Sequence, residues 1–264
     1  MLLRFSKMHG LGNDFMVVDL VTQRARITPC HVRRWADRHT GIGFDQLLIV
    51  EPPRSPDADF YYRIYNADGS EVSQCGNGAR CFAMFVKEQR LTHKTHIVVE
   101  TASGELTLTI KKHRQVEVNM GVPQLDPKAV PFVTKQQAIS YSIPLEEQSV
   151  SVSVLSMGNP HAVLVVEDVD QAPVTPLGSL LNTHPSFPEG VNVGFMQYLN
   201  RQQIRLRVFE RGAGETLACG SGACAAVVAG GLQGQLDQEV EVQLSKGSLT
   251  VNWAGQLHPV IMTG

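Results

Sequence analysis

The stretch Gln74-Cys75-Gly76-Asn77-Gly78-Ala79-Arg80-Cys81 returns later in the chain as Ala218-Cys219-Gly220-Ser221-Gly222-Ala223-Cys224, with the leading cysteines 144 positions apart. Nearly the same offset carries Gly12-Asn13-Asp14 onto Gly158-Asn159-Pro160, Gln46 onto Asn192, and Asn66 onto Glu210. In both copies the last of these polar residues lies nine positions before its cysteine. Four matches in one order, at nearly one offset, mark an internal duplication. The alternative is two glycine-rich turns of similar composition. The duplication gives an N-terminal half over 1–122 and a C-terminal half over 149–264. Between them, 123–148 carries four prolines and reads as a linker region.

Around these motifs, most segments read as short strands. Phe60 to Tyr65 is aromatic and β-branched and ends at the turn signal Asn66-Ala67-Asp68-Gly69. Its counterpart, Ile204 to Phe209, alternates with period two, as a half-buried strand should. Ile97 to Thr101 and Glu105 to Ile110 flank Ala102-Ser103-Gly104 as a hairpin, and Gln115 to Met120 adds a strand. Thr28-Pro29, followed by Val32, Trp35 and Ala36 with Gly41 beyond, reads as a capped surface helix. After the cysteine motifs the period changes: Ala79, Phe82, Ala83 and Val86 recur at three and four, as do Ala223, Ala226, Val227 and Gly230. Each is a buried helix with a cysteine just before its N-terminus. The fold class is α+β: two pseudo-symmetric halves, each a mostly antiparallel sheet wrapped around a central helix.

Composition narrows the function. The 264 residues carry 23 Lys plus Arg against 25 Asp plus Glu, with no basic run, which argues against nucleic acid or an anionic membrane as partner. The stretch Met1 to Phe15 has no apolar signal core, and the longest wholly apolar run, Ala223 to Ala229, is far below a membrane span. An odd count of five cysteines without an export signal points to reduced thiols in the cytoplasm.

A helix N-terminus presents free N–H groups and about half a positive charge, which favour thiolate over thiol. Glycines at 76, 78, 220 and 222 allow an anion such as a carboxylate to approach the backbone. Two such motifs suggest a site between the halves. Inverting a carbon centre by proton exchange needs a base on one face and an acid on the other, and a thiolate–thiol pair supplies both. Cys30, Cys81 and Cys224 read as a surface position and two packing positions. A zinc site is disfavoured, because its C-x5-C and C-x4-C spacings would put each second cysteine inside a helix. A redox pair of Cys75 with Cys219 is the other thiol chemistry to weigh.

The sequence resembles the diaminopimelate epimerases. The matching stretches are Phe5 to Phe15, Gly43-Phe44-Asp45-Gln46, Tyr62 to Ser70, both cysteine motifs, Met157 to His161, and Glu210 to Thr216. The resemblance implies a cofactor-independent, cytoplasmic isomerase, without a metal. It would interconvert LL- and meso-2,6-diaminoheptanedioate in bacterial lysine and peptidoglycan precursor synthesis. Cys75 and Cys219 would be the acid–base residues, with His161 and Glu210 adjusting their pKa values. Gly76, Asn77, Gly220 and Ser221 would hold the reacting carboxylate. Asn13, Gln46, Asn66, Asn159, Asn192, Glu210 and Arg211 would complete the substrate site. On residue chemistry alone, Arg211 can clamp a distal carboxylate and Glu210 an ammonium, and closure of the halves on the substrate would exclude water. A homodimer is also implied. Family members usually continue past a Met-Thr-Gly like Met262-Thr263-Gly264 with a strand bearing a tyrosine at the dimer contact, so the expectation here is a contact lacking that strand.

Overall fold

A computed structural model describes residues 2–72, 75–146 and 149–264, which leaves Gln74 of the first motif outside the described residues. The chain divides into two compact units, Met1–Asn119 and Met120–Gly264.

The first unit runs β1 (Ser6–Gly10), β2 (Asn13–Asp19), α1 (Pro29–Ala36), β3 (Gln46–Glu51), β4 (Phe60–Asn66), β5 (Glu71–Val72), α2 (Gly76–Glu88), β6 (His96–Thr101), β7 (Gly104–Ile110) and β8 (Val116–Asn119). Leu11 and Gly12 both take positive φ, 55° and 91°, as a two-residue hairpin turn demands, and this turn starts β2 at Asn13. Antiparallel pairing joins β1–β2, β3–β4, β4–β5, β6–β7 and β7–β8, while β2–β3 and β4–β6 are parallel. Each parallel step is a crossover through a helix, since parallel neighbours cannot be joined by a hairpin.

Those helices cover opposite faces of the sheet. Val32 and Ala36 of α1 pack on Met16, Val18, Leu47 and Ile49. On the other face, Phe82 of α2 meets the Tyr62 ring at 4.7 Å. Leu47, Leu48 and Ile49 are therefore all fully buried, each contributing about 1.5–3 kcal/mol of transfer free energy. Thr28 caps α1 as its sequence suggests: its hydroxyl accepts the His31 N–H at 3.3 Å, and the His31 ring accepts the Thr28 N–H at 3.4 Å.

The second unit opens with β9 (Tyr141–Pro144) and continues through β10 (Ser149–Ser156), β11 (Pro160–Val165), α3 (Val174–Asn182), β12 (Asn192–Asn200), β13 (Gln203–Glu210), β14 (Gly214–Thr216), α4 (Gly220–Leu232), β15 (Glu239–Leu244), β16 (Gly247–Trp253) and β17 (Val260–Thr263). From β10 onward, its pairings repeat those of the first unit strand for strand. Only β11–β12 and β13–β15 are parallel, and a helix makes each of these crossovers. The duplication read from the sequence is thus a duplication of topology. β13 shows the expected alternation, with Ile204, Leu206 and Val208 buried between half-buried Arg205 and Arg207.

Two features depart from the sequence reading. Segment 123–148, expected as a linker, instead contributes residues to the core of the second unit. Val130, Phe132, Tyr141 and Ile143 join its core, Phe132 stacks on Phe187 at 5.0 Å, and β9 pairs with β10. Pro127 and Pro131 lie in a turn, while Val130 between them and Phe132 just beyond are buried. The sequence reading also did not anticipate α3, whose interior holds Pro176 and Gly178. A Cβ at Gly178 would lie 2.5 Å from the Phe209 side chain, so packing selects glycine there against helix propensity.

Candidate active site

Both cysteines are helix N-caps. Cys75 caps α2 with extended backbone (φ −148°, ψ 110°), and its Sγ accepts the Gly78 N–H at 3.3 Å. Cys219 caps α4 in the same conformation (φ −123°, ψ 108°). Close packing favours glycine at the third position of each helix. A Cβ at Gly78 would lie 2.2 Å from the Tyr62 hydroxyl, and one at Gly222 would lie 3.1 Å from Val208 and 3.3 Å from the Cys219 sulfur. With glycine in place, the first turn of each helix can approach its cysteine sulfur closely.

Around Cys75, sheet register gathers the amides expected from the sequence. Gln46 and Asn66 are opposed on β3 and β4, and Gln46 Nε2 donates to Asn66 Oδ1 at 2.9 Å. Gln46 Oε1 is buried with no partner among the described residues, an acceptor left open. Asn13 Nδ2 donates to Asp45 Oδ2 at 3.0 Å. Asp45 and Asp14 are in turn held by Arg38, at 2.8 and 2.7 Å, and Lys7 also pairs with Asp14. The sequence reading missed this ion cluster behind Asn13, because its members are scattered along the chain. Asn77, in the first turn of α2, is 2% exposed.

The second unit gathers the others. Glu210, at the end of β13, accepts the Cys219 thiol proton at 3.2 Å and the Thr216 hydroxyl, while Ser221 Oγ lies 3.6 Å from the sulfur. Burial first, and then the Glu210 charge, push the Cys219 thiol well above its ordinary pKa, outweighing the Ser221 and Gly222 hydrogen bonds. The helix terminus alone predicts the opposite direction, so the environment of the cap decides. Cys81 and Cys224 are pushed up by burial to about 11 and about 12, in keeping with packing roles.

Asn192 and His161 are opposed on β12 and β11. Asn192 Oδ1 accepts the Arg211 backbone N–H at 2.8 Å, and Arg211 Nη1 donates to the Glu189 carbonyl at 2.7 Å. No carboxylate among the described residues pairs with the Arg211 guanidinium. His161 is 1% exposed, and its ring Nε2 lies 3.0 Å from Asn159 Oδ1. An amide oxygen only accepts, so the neutral ring donates through Nε2 and leaves the Nδ1 lone pair free. Burial, and second the Arg211 charge, push its pKa down from 6.5 to about 3.

This has a measurable consequence. Between pH 6.5 and 3 the unfolded chain binds a proton that native His161 refuses, so stability falls as pH falls through that window, by about 1.4 kcal/mol per pH unit for this group. Urea denaturation of the wild type is expected to show this slope, and His161→Gln should flatten it. An equal slope in the variant would assign the acid sensitivity elsewhere.

The family model described as diaminopimelate epimerase matches residues 5–125 and 153–264. The chain is 61% identical over 264 residues to the diaminopimelate epimerases of Ectopseudomonas mendocina (strain ymp) and Azotobacter vinelandii (strain DJ / ATCC BAA-1303), covering 100% of this chain and 96% of each relative. Among solved structures, it resembles a hydroxyproline epimerase from Agrobacterium vitis with a TM-score of 0.75 at 15% identity, over 99% of this chain and 89% of that one. That likeness concerns the fold. Identity of this order along the whole length, with the family model spanning both duplicated units, places the chain in the diaminopimelate epimerase family.

Proposed function

We propose that this chain is a cofactor-independent epimerase that interconverts LL- and meso-2,6-diaminoheptanedioate, with Cys75 and Cys219 as its acid–base pair. The observation that carries this reading is the pair of N-capping cysteines in matched units. One is a sulfur accepting a backbone N–H, and the other is a thiol donating to a carboxylate. The α-proton of an amino acid is weakly acidic, so one thiolate must remove it while a thiol on the opposite face returns a proton. Negative charge then develops on the α-carboxylate. Helix-terminal N–H groups at Gly76-Asn77 and Gly220-Ser221 are suited to meet it.

The substrate has a second amino-acid end. Arg211 is suited to its carboxylate and Glu210 to an ammonium, while Asn13, Gln46, Asn66, Asn159 and Asn192 supply amide donors and acceptors. Neutral His161, with a free Nδ1 lone pair, and Glu210 are the groups that tune the thiols. The same reading has the enzyme act as a cytoplasmic homodimer supplying lysine and peptidoglycan precursors. No helix among the described residues is long and apolar enough to cross a membrane.

The test is proton NMR of LL-diaminopimelate with reduced protein in D2O. The expected result is loss of the α-proton signal at one end as meso product accumulates. Exchange with trans-4-hydroxy-L-proline instead, or none with either substrate, would refute the assignment.

A further inference from the structure

Arg80 lies in the second turn of α2 and is 9% exposed. Among the described residues its guanidinium makes one hydrogen bond, from Nη2 to Asn77 Oδ1 at 2.8 Å. Among the described residues its Nε is buried without a partner, and no carboxylate pairs with it. The end of β1 closes over it: a Cβ at Gly10 would lie 3.1 Å from Arg80 Nη2 and 3.6 Å from Asn77 Cβ. Gly10 is also the register partner of Asn13. A cation buried against a single neutral amide is a poor stabilising device, because desolvation costs several kcal/mol and no counter-charge offsets it. Burial accordingly pulls the Arg80 pKa down, while negative charge on Cys81 or Cys75 would raise it again. The site is built to favour an incoming anion.

The duplication sharpens this point. Shifted by the repeat offset, Arg80 falls on Cys224, Asn77 on Ser221, and Asn66 on Glu210. The two copies therefore differ where charge enters: a cation beside Cys75 in one unit, a carboxylate beside Cys219 in the other. They also differ in the residue that follows the helix-terminal glycine. A serine hydroxyl rotates to suit its ligand, but an amide has a donor end and an acceptor end that must be oriented. The unit with the amide is the one with the arginine.

We propose that Arg80 is a positioning residue for the reaction: it holds the Asn77 carbonyl so that the amide N–H donors face the reacting carboxylate, and it provides the positive charge beside which the Cys75 thiolate forms. This rests on Cys75 being one of the acid–base pair.

Alkylation by iodoacetamide, followed peptide by peptide across pH in the full-length reduced protein, tests it together with steady-state kinetics. Exposed Cys30 serves as internal reference. In Arg80→Met, the pH midpoint of Cys75 alkylation is expected to rise by about one unit, with Cys30 unchanged. The same variant should lose about tenfold or more in kcat, with a smaller change in KM, because the charge on the carboxylate develops in the transition state. Arg80→Lys should restore the midpoint but not kcat, since an ammonium cannot reproduce the guanidinium fork. An unchanged Cys75 midpoint with kcat within about twofold of wild type in folded Arg80→Met would overturn the proposal. If circular dichroism shows that variant unfolded, Arg80→Lys decides: a wild-type kcat overturns the positioning role, and a reduced kcat with a held midpoint supports it. The alkylation profile needs no substrate. A wild type that exchanges no diaminopimelate proton would therefore refute the assigned reaction and with it the positioning role, while the Cys75 midpoint would still decide whether Arg80 supplies the charge beside that thiolate.

Discussion

Replacing either Cys75 or Cys219 with serine is expected to lower kcat for epimerisation by about 10²–10⁴-fold in both directions while leaving the fold intact. The fold should survive because serine is a preferred helix N-cap and replaces a residue already in that position. Its hydroxyl can accept the Gly78 N–H as the Cys75 sulfur does and can donate to Glu210 as the Cys219 thiol does. What serine cannot do is ionise near neutral pH, so the loss falls on proton transfer. In a two-base reaction each group acts in every turnover, as base in one direction and as acid in the other. Neither single variant should therefore retain one direction at full rate. Steady-state rates from LL and from meso substrate, with melting curves as the folding control, check this. A folded single variant keeping more than about a tenth of wild-type kcat would rule out the two-thiol mechanism.

Glu210→Gln should separate reactivity from catalysis. The carboxylate stands 3.2 Å from the Cys219 sulfur and also accepts the Thr216 hydroxyl. Glutamine keeps an oxygen for Thr216 but removes the negative charge that, after burial, holds the thiol up. The sign follows: without that charge the thiolate forms at lower pH, so alkylation of Cys219 at a fixed pH near 8 should accelerate. Catalysis should move the other way. Cys219 would then hold less of the proton it must deliver, and the carboxylate suited to the substrate's ammonium would be gone. A fall in kcat/KM of about tenfold or more is expected. Slower alkylation, or unchanged kcat/KM, would show that Glu210 does not govern this thiol.

Both expectations begin in the sequence, and their limits have physical causes. The helix caps were legible because capping is local: an extended cysteine, a glycine, and then apolar residues at three and four define the end of a helix within one turn. Gln46, Asn66 and Asn192 were legible as candidates through the repeat, and His161 through the family resemblance; sheet register then set Gln46 beside Asn66 and Asn192 beside His161. The linker reading of 123–148 failed because proline marks where the chain turns, not whether Phe132 and Tyr141 find a core. Helix α3 was illegible because Pro176 and Gly178 lower its propensity, while its packing against Phe209 is non-local.

Legible in the sequence alone are the duplication, the strands that flank each central helix, and the cysteine at the head of each of those helices. All of these follow from local periodicity, or from one half of the chain resembling the other. What surrounds each sulfur is set by non-local packing. Glu210 presses on Cys219 across the end of β13, His161 is closed off from water, and Arg80 is buried against the neutral Asn77 amide. Proton affinity depends on desolvation and on charge through space. Neither is a property of neighbours along the chain, so two motifs that read alike in sequence acquire different surroundings once folded.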